Sequence, residues 1–390
     1  MLDVVPVGAV VVTACALLAV APLRRPGSAG TVSWILGNFA NELPFVFFVV
    51  VVVPTLVPLI GEDLSARDQV TVVLMAVVVV ALVIVVSRAL GTRAAAEAAF
   101  RDALGGGWRA EVPSGDSLAL DRRRRWARIL FVPFPLRPRS VVRTADVAYG
   151  PRGSEQFLDV YRHRSEPPSA PTLIHLHGGR FRWGRKSREA RSLLFRLAEQ
   201  GWTCISANYH LSPTPAEGFP THLIDVKQIL AWCRGEGRLH GVDPDAIVLS
   251  GSSAGAHLTV MAALTANDPM FQPGFEDVDT SFAAGVCLGG YYGGLDGDDG
   301  SPTSPLANRG PVPPFFVVHG LNDTVTSPEG ARGLVRHLRA QPGPLVLHAE
   351  LPGGQHGFGL FGSLRFEAVV DGIEAFVDWV GCRPAGVGLT

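Results

Sequence analysis

The sequence has few charged residues and no excess of either sign. Only 18 % of its 390 residues are Asp, Glu, Lys or Arg, whereas soluble proteins have about 25 %. The formal net charge is −1 at pH 7. Binding to the phosphate backbone of a nucleic acid requires a basic surface, so the composition argues against a nucleic-acid partner.

Cysteine is also scarce and shows no pattern. The sequence contains five cysteines, none of them paired at the short spacing of a zinc site: Cys15, Cys204, Cys233, Cys287 and Cys382. An odd number of scattered cysteines argues against a disulfide framework and is typical of buried positions in a reducing compartment. No motif for a metal ion or an organic cofactor is present, so we expect neither.

Long apolar runs, by contrast, fill the first quarter of the chain. They cover residues 4–23, 43–60 and 70–86, each close to the length that crosses a hydrocarbon core of about 30 Å. Valine-rich runs also suit buried β-strands, but strands are rarely this long. A cleaved signal peptide is disfavoured, because the first residues carry Asp3 instead of a basic group. We therefore predict a transmembrane region over 1–91 with about three helices.

Arginines between these runs predict their orientation. Arg24 and Arg25 follow the first run, and several arginines beginning with Arg88 follow the third, whereas the loop after the second run, GEDLSARD, is acidic. Basic residues are enriched in the cytoplasmic loops of membrane proteins. The pattern predicts a multi-pass protein of the cell membrane, with its N-terminus outside and its large C-terminal part in the cytoplasm. Membrane lipids are then expected partners.

Residues 92–140 differ in character from both of their neighbours. The stretch TRAAAEAAFRDAL predicts an amphipathic helix that ends at Gly105, and the arginines 122–125 precede an apolar segment that begins at Trp126. This basic and apolar segment is suited to an anionic membrane surface, but a solvated charge run beside a packing segment explains it equally well. We expect 92–140 to be a linker or a partial cap over the following domain.

Short apolar strands alternate with helical stretches from about residue 141 onward. The strand-like segments include PTLIHLHGG, WTCISANYHL, DAIVLSG and PPFFVVHG, and segments with helical periodicity stand between them. Strands that are apolar on both faces predict a mainly parallel sheet covered by helices on each side. We expect a catalytic α/β domain over 141–390, with its active site at the carboxyl ends of the strands.

The stretch VLSGSSAGAHL contains the motif Gly-x-Ser-x-Gly, with Ser253 between Gly251 and Gly255. It follows a predicted strand and precedes a predicted helix, which is the setting of a nucleophilic serine on a tight turn. Such a serine needs a base, and the base needs a group that orients it. His356 follows the last predicted strand, and Asp323 follows the strand before it. This order predicts a catalytic triad.

The stretch IHLHGGRF, after the first long apolar strand, offers hydrogen-bond donors for a developing oxyanion. In His177-Gly178-Gly179 the glycines allow backbone N–H groups to turn toward the substrate oxygen. A further donor is the N–H of Ala254, the residue after the predicted nucleophile. The sequence therefore predicts an oxyanion hole beside Ser253.

Several motifs occur together and in one order: HLHGGRF, NYHLSP, FPTHLIDVKQILAW, DAIVLSGSSAGAHL, HGLNDTV and QHGF. In this combination, residues from about 141 to 382 resemble the α/β-hydrolase fold of the hormone-sensitive-lipase-like carboxylesterase group. The resemblance implies that Ser253 is the nucleophile, His356 the general base and Asp323 the group that orients the base. With its apolar first quarter, the whole chain resembles membrane-anchored actinobacterial esterases.

The resemblance also implies an oxyanion hole shaped by Gly178, Gly179 and Ala254. Arg180 stands where the group often has a third glycine. Its backbone N–H remains available as a further donor, while its side chain is expected to narrow the pocket or meet an anionic headgroup. His177 is expected to hold the loop by hydrogen bonding, which is a structural role.

The expected function is hydrolysis of carboxylic esters with lipid-like or short-to-medium acyl chains, through an acyl-enzyme on Ser253. An acyltransferase and an amidase or peptidase use the same triad, so both remain alternatives. A non-catalytic ligand-binding protein of this fold is disfavoured, because the triad is complete. The group's usual N-terminal cap has no clear match, which leaves residues 92–140 or the membrane itself to roof the acyl pocket.

Overall fold

The structure is a computed structural model that describes residues 6–24, 27–110, 119–165, 171–341 and 345–381. Parts of the predictions fall outside these ranges. They are the start of the predicted transmembrane region, Arg25 and its neighbour, a segment of the expected linker, and two short segments and the end of the expected catalytic domain (1–5, 25–26, 111–118, 166–170, 342–344 and 382–390).

Eight strands form a single sheet: β1 Val141–Ala148, β2 Phe157–His163, β3 Thr172–Leu176, β4 Thr203–Ala207, β5 Ile247–Ser252, β6 Ala284–Leu288, β7 Phe315–Gly320 and β8 Val346–Leu351. Their spatial order is β1-β2-β4-β3-β5-β6-β7-β8. β2 pairs antiparallel with β1 and β4, and every other pair is parallel. The strands β3 to β7 are buried along their whole length, which is why their sequences are continuous apolar runs.

The α-helices of the described residues cover both faces of this sheet and form the N-terminal region. They are α1 Val7–Val20, α2 Ser28–Glu42, α3 Pro44–Phe47, α4 Val53–Leu56, α5 Ala66–Leu90, α6 Thr92–Leu104, α7 Trp126–Phe131, α8 Arg191–Glu199, α9 Thr221–Arg234, α10 Ala254–Leu264, α11 Pro328–Arg339 and α12 Leu364–Gly381. One apolar core lies between the sheet and α9, α10 and α11, and a second lies between the sheet and α6, α8 and α12. The predicted α/β architecture, mainly parallel and covered on both faces, is confirmed.

The N-terminal region is helical and apolar, but its helices differ from the predicted spans. α1 has 14 residues. At ~1.5 Å per residue it is about 21 Å long, less than a core of about 30 Å. α5 covers the predicted span 70–86 and continues into α6 as a helix of 39 residues, Ala66–Leu104. Among the described residues, this is the one helix that is long and apolar enough by itself to cross a membrane.

The predicted span 43–60 is not a separate straight helix. It consists of α3, a π-helical turn at Phe48–Val52, α4 and a 3-10 turn at Val57–Leu59. It is also the second arm of a bent pair whose first arm is α2, with an angle of 87° between the arms. The second arm begins at Pro44, which has no backbone N–H to continue the preceding helix, so the bend falls there. Helix α2 was not predicted from the sequence.

Many apolar side chains of this N-terminal region face outward. α1, α3 and α5 share a small core, but a set of large apolar residues on them and on α2 is exposed: Val7, Val10, Val11, Val32, Ile35, Leu36, Phe39, Val73, Val80 and Val83. An exposed apolar surface of this extent is typical of contact with a membrane or another protein.

Buried polar contacts attach α2 to the catalytic domain. Arg365 Nη1 donates hydrogen bonds to Glu42 Oε1 at 2.6 Å and to Asn41 Oδ1 at 2.8 Å. Ser363 Oγ donates to Glu42 Oε2 at 2.7 Å, and Asn41 Nδ2 donates to Gly353 O at 3.0 Å. Removing one partner of a buried ion pair typically costs about 3–5 kcal/mol. α2 is therefore held firmly on the catalytic domain.

Arginines of the 92–140 segment make structural ion pairs with α12. Arg93 contacts Asp371 at 2.5 Å, and Arg122 contacts Glu374 at 2.9 Å. The apolar residues that follow remain largely exposed: Trp126, Leu130, Phe131, Val132, Phe134 and Leu136. The Trp126 ring lies 6.2 Å from that of Phe45 on α3, so this exposed surface adjoins the N-terminal helices.

Candidate active site

Ser253 lies at the turn between β5 and α10. Its backbone is strained, with φ 53° and ψ −113°. The two glycines of the motif allow this turn because other backbone atoms approach them closely. A Cβ on Gly251 would overlap the carbonyl of Gly255, and a Cβ on Gly255 would overlap Leu176 O. A residue with a side chain therefore does not fit at either position without a shift of the backbone.

The structure brings Ser253, His356 and Asp323 together. Ser253 Oγ lies 3.0 Å from His356 Nε2, and His356 Nδ1 lies 2.8 Å from Asp323 Oδ2. The three residues come from the ends of β5, β8 and β7, which meet at one edge of the sheet because these strands are parallel. This is the geometry that lets a serine hydroxyl transfer its proton to a neutral imidazole.

Asp323 is held by more groups than the sequence indicated. Its Oδ1 accepts hydrogen bonds from the N–H groups of Val325 and Thr326, both at 2.8 Å. Its Oδ2 lies 2.9 Å from Thr326 Oγ1 and 3.4 Å from His319 Nε2. Burial alone would raise the pKa of Asp323, but the charge of His356 and hydrogen bonds with His319 and His356 hold that pKa well below its usual range.

These contacts keep the carboxylate ionised and fix its direction. Burial lowers the pKa of His356, but the charge and hydrogen bond of Asp323 outweigh burial and raise that pKa above its ordinary value. His319 and Thr326 were not assigned a role from the sequence. The signal available was the position of His319 at the end of β7, four residues before Asp323.

The predicted oxyanion loop follows β3, and one of its predicted donors is already used. The N–H of Gly178 donates a hydrogen bond to the Glu189 carboxylate, so Gly178 is not a free oxyanion donor in this structure. In the described part of the chain, the N–H groups of Gly179, Arg180 and Ala254 have no acceptor. Glu189 was missed from the sequence, because nothing local connects it with a loop eleven residues earlier.

The backbone of this loop explains why glycine is preferred in it. Gly179 has φ 134°, and a Cβ there would overlap Trp183 O. Arg180 and Phe181 have φ 55° and 61°, in the left-handed region that favours glycine. The arginine at position 180 therefore occupies a conformation suited to the third glycine of the family motif, and its N–H keeps its place in the loop.

His177 is buried and hydrogen-bonded to the oxyanion loop. Its Nδ1–H donates to Gly178 O at 2.8 Å, and its ring stacks on Tyr209 with centroids 4.5 Å apart. Tyr209 Oη in turn donates to His177 O at 2.7 Å. Burial lowers the pKa of His177 to about 4, so the ring is neutral at pH 7.

Ser253 lies between two cavities. One, of about 240 Å³, is bordered by the oxyanion loop, the His356 loop and α2. The other, of about 250 Å³, is bordered by Phe181, Tyr291 and Leu295. The carbonyl carbon of an ester joins an acyl part to an alcohol part, so two cavities that meet at the nucleophile suit such a substrate. Each is smaller than the roughly 300–1,000 Å³ of drug-sized ligand sites, and each by itself fits a short group.

Helix α2 forms the roof of the first cavity. Thr31, Trp34 and Ile35 line it, and the Trp34 ring stands edge-on to the His356 ring with centroids 5.8 Å apart. None of the described residues of 92–140 borders this cavity. The 92–140 segment instead makes ion pairs with α12, and α2 covers this cavity.

Two hydrogen bonds join the roof to loops of the active site. Arg180 Nη2 donates to Thr31 Oγ1 at 2.9 Å, and Thr324 Oγ1 donates to Gly30 O at 2.7 Å. Arg180 belongs to the oxyanion loop, and Thr324 follows Asp323 directly.

Within the described ranges, no group of three or more His, Cys, Asp or Glu side chains is arranged to hold a metal ion.

The chain is similar to known esterases, and this similarity includes the N-terminal helices. Residues 158–284 match the BD-FAE family, and residues 223–380 match the prolyl oligopeptidase family. The chain is 34 % identical to the probable carboxylic ester hydrolase LipM of Mycobacterium tuberculosis, over 95 % of this chain and 91 % of LipM. It is 34 % identical to the esterase LipQ of the same organism, over 74 % of this chain and 75 % of LipQ.

Solved structures match the catalytic part. Esterase B from Lactobacillus rhamnosis aligns with a TM-score of 0.52 at 20 % identity, over 63 % of this chain and 89 % of that one. The esterase Est2 of Thermogutta terrifontis aligns with a TM-score of 0.51 at 20 % identity, over 62 % of this chain and 96 % of that one. These structures have the α/β-hydrolase fold, and the match to LipM spans nearly the whole chain. The chain belongs to the hormone-sensitive-lipase-like carboxylesterase group of α/β-hydrolases, together with these mycobacterial esterases.

Proposed function

We propose that the chain is a serine carboxylic-ester hydrolase whose catalytic triad is Ser253, His356 and Asp323. The observation that carries this proposal is the unbroken row of contacts through the triad, 3.0 Å from Ser253 Oγ to His356 Nε2 and 2.8 Å from His356 Nδ1 to Asp323 Oδ2. The esterase names of relatives at 34 % identity support the same activity.

In the proposed reaction, Ser253 Oγ attacks the ester carbonyl carbon and its proton passes to His356 Nε2. The N–H groups of Gly179, Arg180 and Ala254 stabilise the oxyanion, and one such donor is typically worth about 10²–10³ in kcat. His356 then protonates the leaving alcohol, which departs and leaves an acyl-enzyme. His356 next takes a proton from water, whose oxygen attacks the acyl carbon. His356 then returns this proton to Ser253 Oγ as the bond from Oγ to the acyl carbon breaks and the acid is released.

The proposal extends to an N-terminal membrane anchor over residues 1–91. In this arrangement α5 and the arm Pro44–Leu59 cross the membrane, the shorter α1 packs on α5 within it, and α2 lies along its surface above the active site. The exposed valines of α1 and α5 support contact with lipid. Arg24 and Arg88 stand at the ends of α1 and α5 that adjoin the catalytic domain, which favours a cytoplasmic catalytic domain.

Lipid-like esters are the proposed substrates, because α2 has one face on the active site and an apolar face outward. Val32, Leu36 and Phe39 are exposed on that outer face. Ile35 borders the cavity and is still 60 % exposed, so it stands between the outer surface and the site. An acyl chain that enters beside Ile35 passes from the hydrocarbon phase to the cavity without crossing water.

Hydrolysis of p-nitrophenyl butyrate by the full chain in neutral detergent tests the function. We expect Ser253→Ala to abolish turnover and labelling by a fluorophosphonate probe, with an unchanged melting temperature. Ser252→Ala is the matched control, one residue away in the same turn, and should keep most of the activity. Turnover by Ser253→Ala at the wild-type rate would contradict the proposal.

Amide hydrolysis is a second candidate, favoured by the match of residues 223–380 to the prolyl oligopeptidase family. A matched pair of substrates, p-nitrophenyl butyrate and butyryl p-nitroanilide, separates the two activities. We expect the ester to be cleaved much faster than the amide. Faster cleavage of the amide would favour an amidase with the same triad.

Membrane orientation is tested by labelling with a membrane-impermeant maleimide. Glu62→Cys, in the loop before α5, should be labelled in intact cells, whereas Arg123→Cys should be labelled only after the cells are opened. The reverse pattern would place the catalytic domain outside. Deleting residues 1–91 is unsuitable for this test, because it removes α2 and thereby the roof of the active site.

A further inference from the structure

A cleft of about 810 Å³ lies between the N-terminal helices and the loops after β7 and β8. Four arginines stand on its wall: Arg24, Arg88, Arg180 and Arg332. The two carboxylates on the wall, Asp323 and Glu329, are already engaged, Asp323 with His356 and Glu329 with Arg332. Arg332 also contacts Glu350 at 2.7 Å. The charge of Arg332 is thus balanced by carboxylates, whereas the other three arginines have no carboxylate partner among the described residues.

Arg24 and Arg88 are connected through hydrogen bonds to neutral groups. Arg24 Nη2 donates to Asn322 Oδ1 at 3.0 Å and to Leu321 O at 3.2 Å. Arg88 Nη1 donates to Val20 O at 2.6 Å, and Asn322 Nδ2 reaches the same oxygen at 3.4 Å. In the described residues neither arginine is in an ion pair. Both guanidinium groups border the cleft, so a negative group bound there is attracted to each of them.

Arg180 connects this cleft with the active site. Its side chain donates to the neutral hydroxyl of Thr31 at 2.9 Å, and it too has no carboxylate partner among the described residues. Arg180 and Thr31 border both the cleft and the cavity beside Ser253. A group bound in the cleft therefore lies next to the oxyanion loop.

The position of the cleft along the N-terminal helices indicates the kind of anion. Arg24 follows the end of α1, and Arg88 is in the last turn of α5, so both lie where apolar helices end. In a membrane, this is the depth of the lipid phosphates, and arginines there attract anionic lipids. Guanidinium groups also match phosphate oxygens in geometry.

We propose that this cleft binds the phosphate group of an anionic membrane lipid through Arg24, Arg88 and Arg180. The negatively charged phosphate lies between the three arginines, and the lipid's chains lie along the exposed apolar surface of the N-terminal helices. The lipid so held sits beside the roof helix α2, at the entrance to the active site. Binding does not depend on the proposed hydrolysis, because the cleft contains no group of the triad except the already engaged Asp323.

The test uses the full chain in neutral detergent and lipids that contain no carboxylic ester. Binding of diether phosphatidylglycerol, of diether phosphatidylcholine and of inorganic phosphate is measured by titration calorimetry. Ser253→Ala is titrated as well, so that loss of catalysis and loss of binding are seen separately. We expect diether phosphatidylglycerol to bind more tightly than the other two ligands, and Ser253→Ala to bind it like the wild type.

Variants of the cleft arginines identify the site. Arg24→Gln and Arg88→Gln should each weaken binding of diether phosphatidylglycerol by roughly fivefold, and both effects should diminish at high salt. Arg24→Lys and Arg88→Lys keep the charge and should recover part of the affinity, which controls for misfolding. Arg238→Gln is the matched control and should bind like the wild type, because Arg238 is exposed, lies outside the cleft and has no ion pair with any described residue.

Three results would overturn the proposal. They are equal binding of the two diether lipids, equal affinity of the Arg24, Arg88 and Arg238 variants, and binding of inorganic phosphate as tight as that of the anionic lipid. The last result would make the cleft a site for a free anion. Loss of esterase activity in Ser253→Ala with unchanged lipid binding supports both proposals independently.

Discussion

Replacing Asp323 by asparagine changes one carboxylate oxygen into an amino group and keeps the shape of the side chain. Oδ1 accepts hydrogen bonds from the N–H groups of Val325 and Thr326, both at 2.8 Å. Only the carbonyl oxygen of the asparagine can take that place, so its NH₂ group must face His356 Nδ1. A donor there requires an unprotonated Nδ1 and moves the ring proton to Nε2, where it points at Ser253.

An imidazole with its proton on Nε2 cannot accept the proton of Ser253 Oγ. Loss of the correct tautomer in a triad of this kind lowers kcat by about 10⁴-fold, or ~5.5 kcal/mol of activation free energy. The pH profile changes as well. In the wild type, burial lowers the pKa of His356, but Asp323 raises it more strongly, so the net pKa is above its ordinary value.

Only the neutral form of His356 acts as a base, so the wild-type kcat/KM falls as the pH drops through this raised pKa. In Asp323→Asn the charge that raises the pKa of His356 is gone. The acid limb of the profile, in which kcat/KM falls as the pH drops, should therefore move to lower pH. The measurement is kcat/KM for p-nitrophenyl butyrate as a function of pH, together with the melting temperature. Asp245→Asn makes the same change at an exposed side chain and should behave like the wild type. A loss smaller than about tenfold, or an acid limb that does not move, would refute this account of the triad.

Three further substitutions test the loop, the roof and the turn. Arg180→Gly should fold normally, because φ 55° favours glycine. The charge of Arg180 lowers the pKa of His356, so the loss of kcat/KM at acidic pH should begin at a higher pH in this variant. An unchanged pH profile would contradict this effect of Arg180 on His356. Trp34→Ala widens the cavity beside the base, so the ratio of kcat/KM for p-nitrophenyl palmitate over butyrate should rise, and a constant ratio would show that α2 does not limit chain length. Gly255→Ala places a Cβ against the backbone of β3, which should lower the free energy of unfolding by about 1–3 kcal/mol and abolish activity. Gly330→Ala is the control, because a Cβ there has open space around it, and it should change neither stability nor activity.

Helix α2 shows where sequence patterns stop being informative. Its sequence, SAGTVSWILGNFANE, mixes apolar residues with Ser, Thr, Asn and Glu, so it contains no long apolar run. The reason is its position between two surroundings: Asn41 and Glu42 bond to the catalytic domain, while Leu36 and Phe39 face outward. A residue composition that serves two environments gives neither the signal of a membrane span nor that of a core helix.

The oxyanion loop is a second case. The glycines of HLHGGRF predicted a tight turn with exposed N–H groups, and the structure has that turn. Glu189 determines which of these N–H groups are free, because its carboxylate accepts a hydrogen bond from the N–H of Gly178. Glu189 lies eleven residues after Gly178, outside the motif, so the motif alone does not show their contact. Only the folded structure shows which N–H groups are available as oxyanion donors.

By itself, the sequence determined the alternation of strands and helices, the turn at Ser253, and the order in which Asp323 and His356 follow it. These features are local, because burial on both faces makes a strand apolar and a tight turn demands glycine. Only the tertiary structure decided that α2 roofs the active site, that His319 supports Asp323, and that arginines far apart in the chain share one cleft. Each of these depends on contacts between distant segments, such as the bond between Arg24 and Asn322, and such contacts are set by packing of the whole chain.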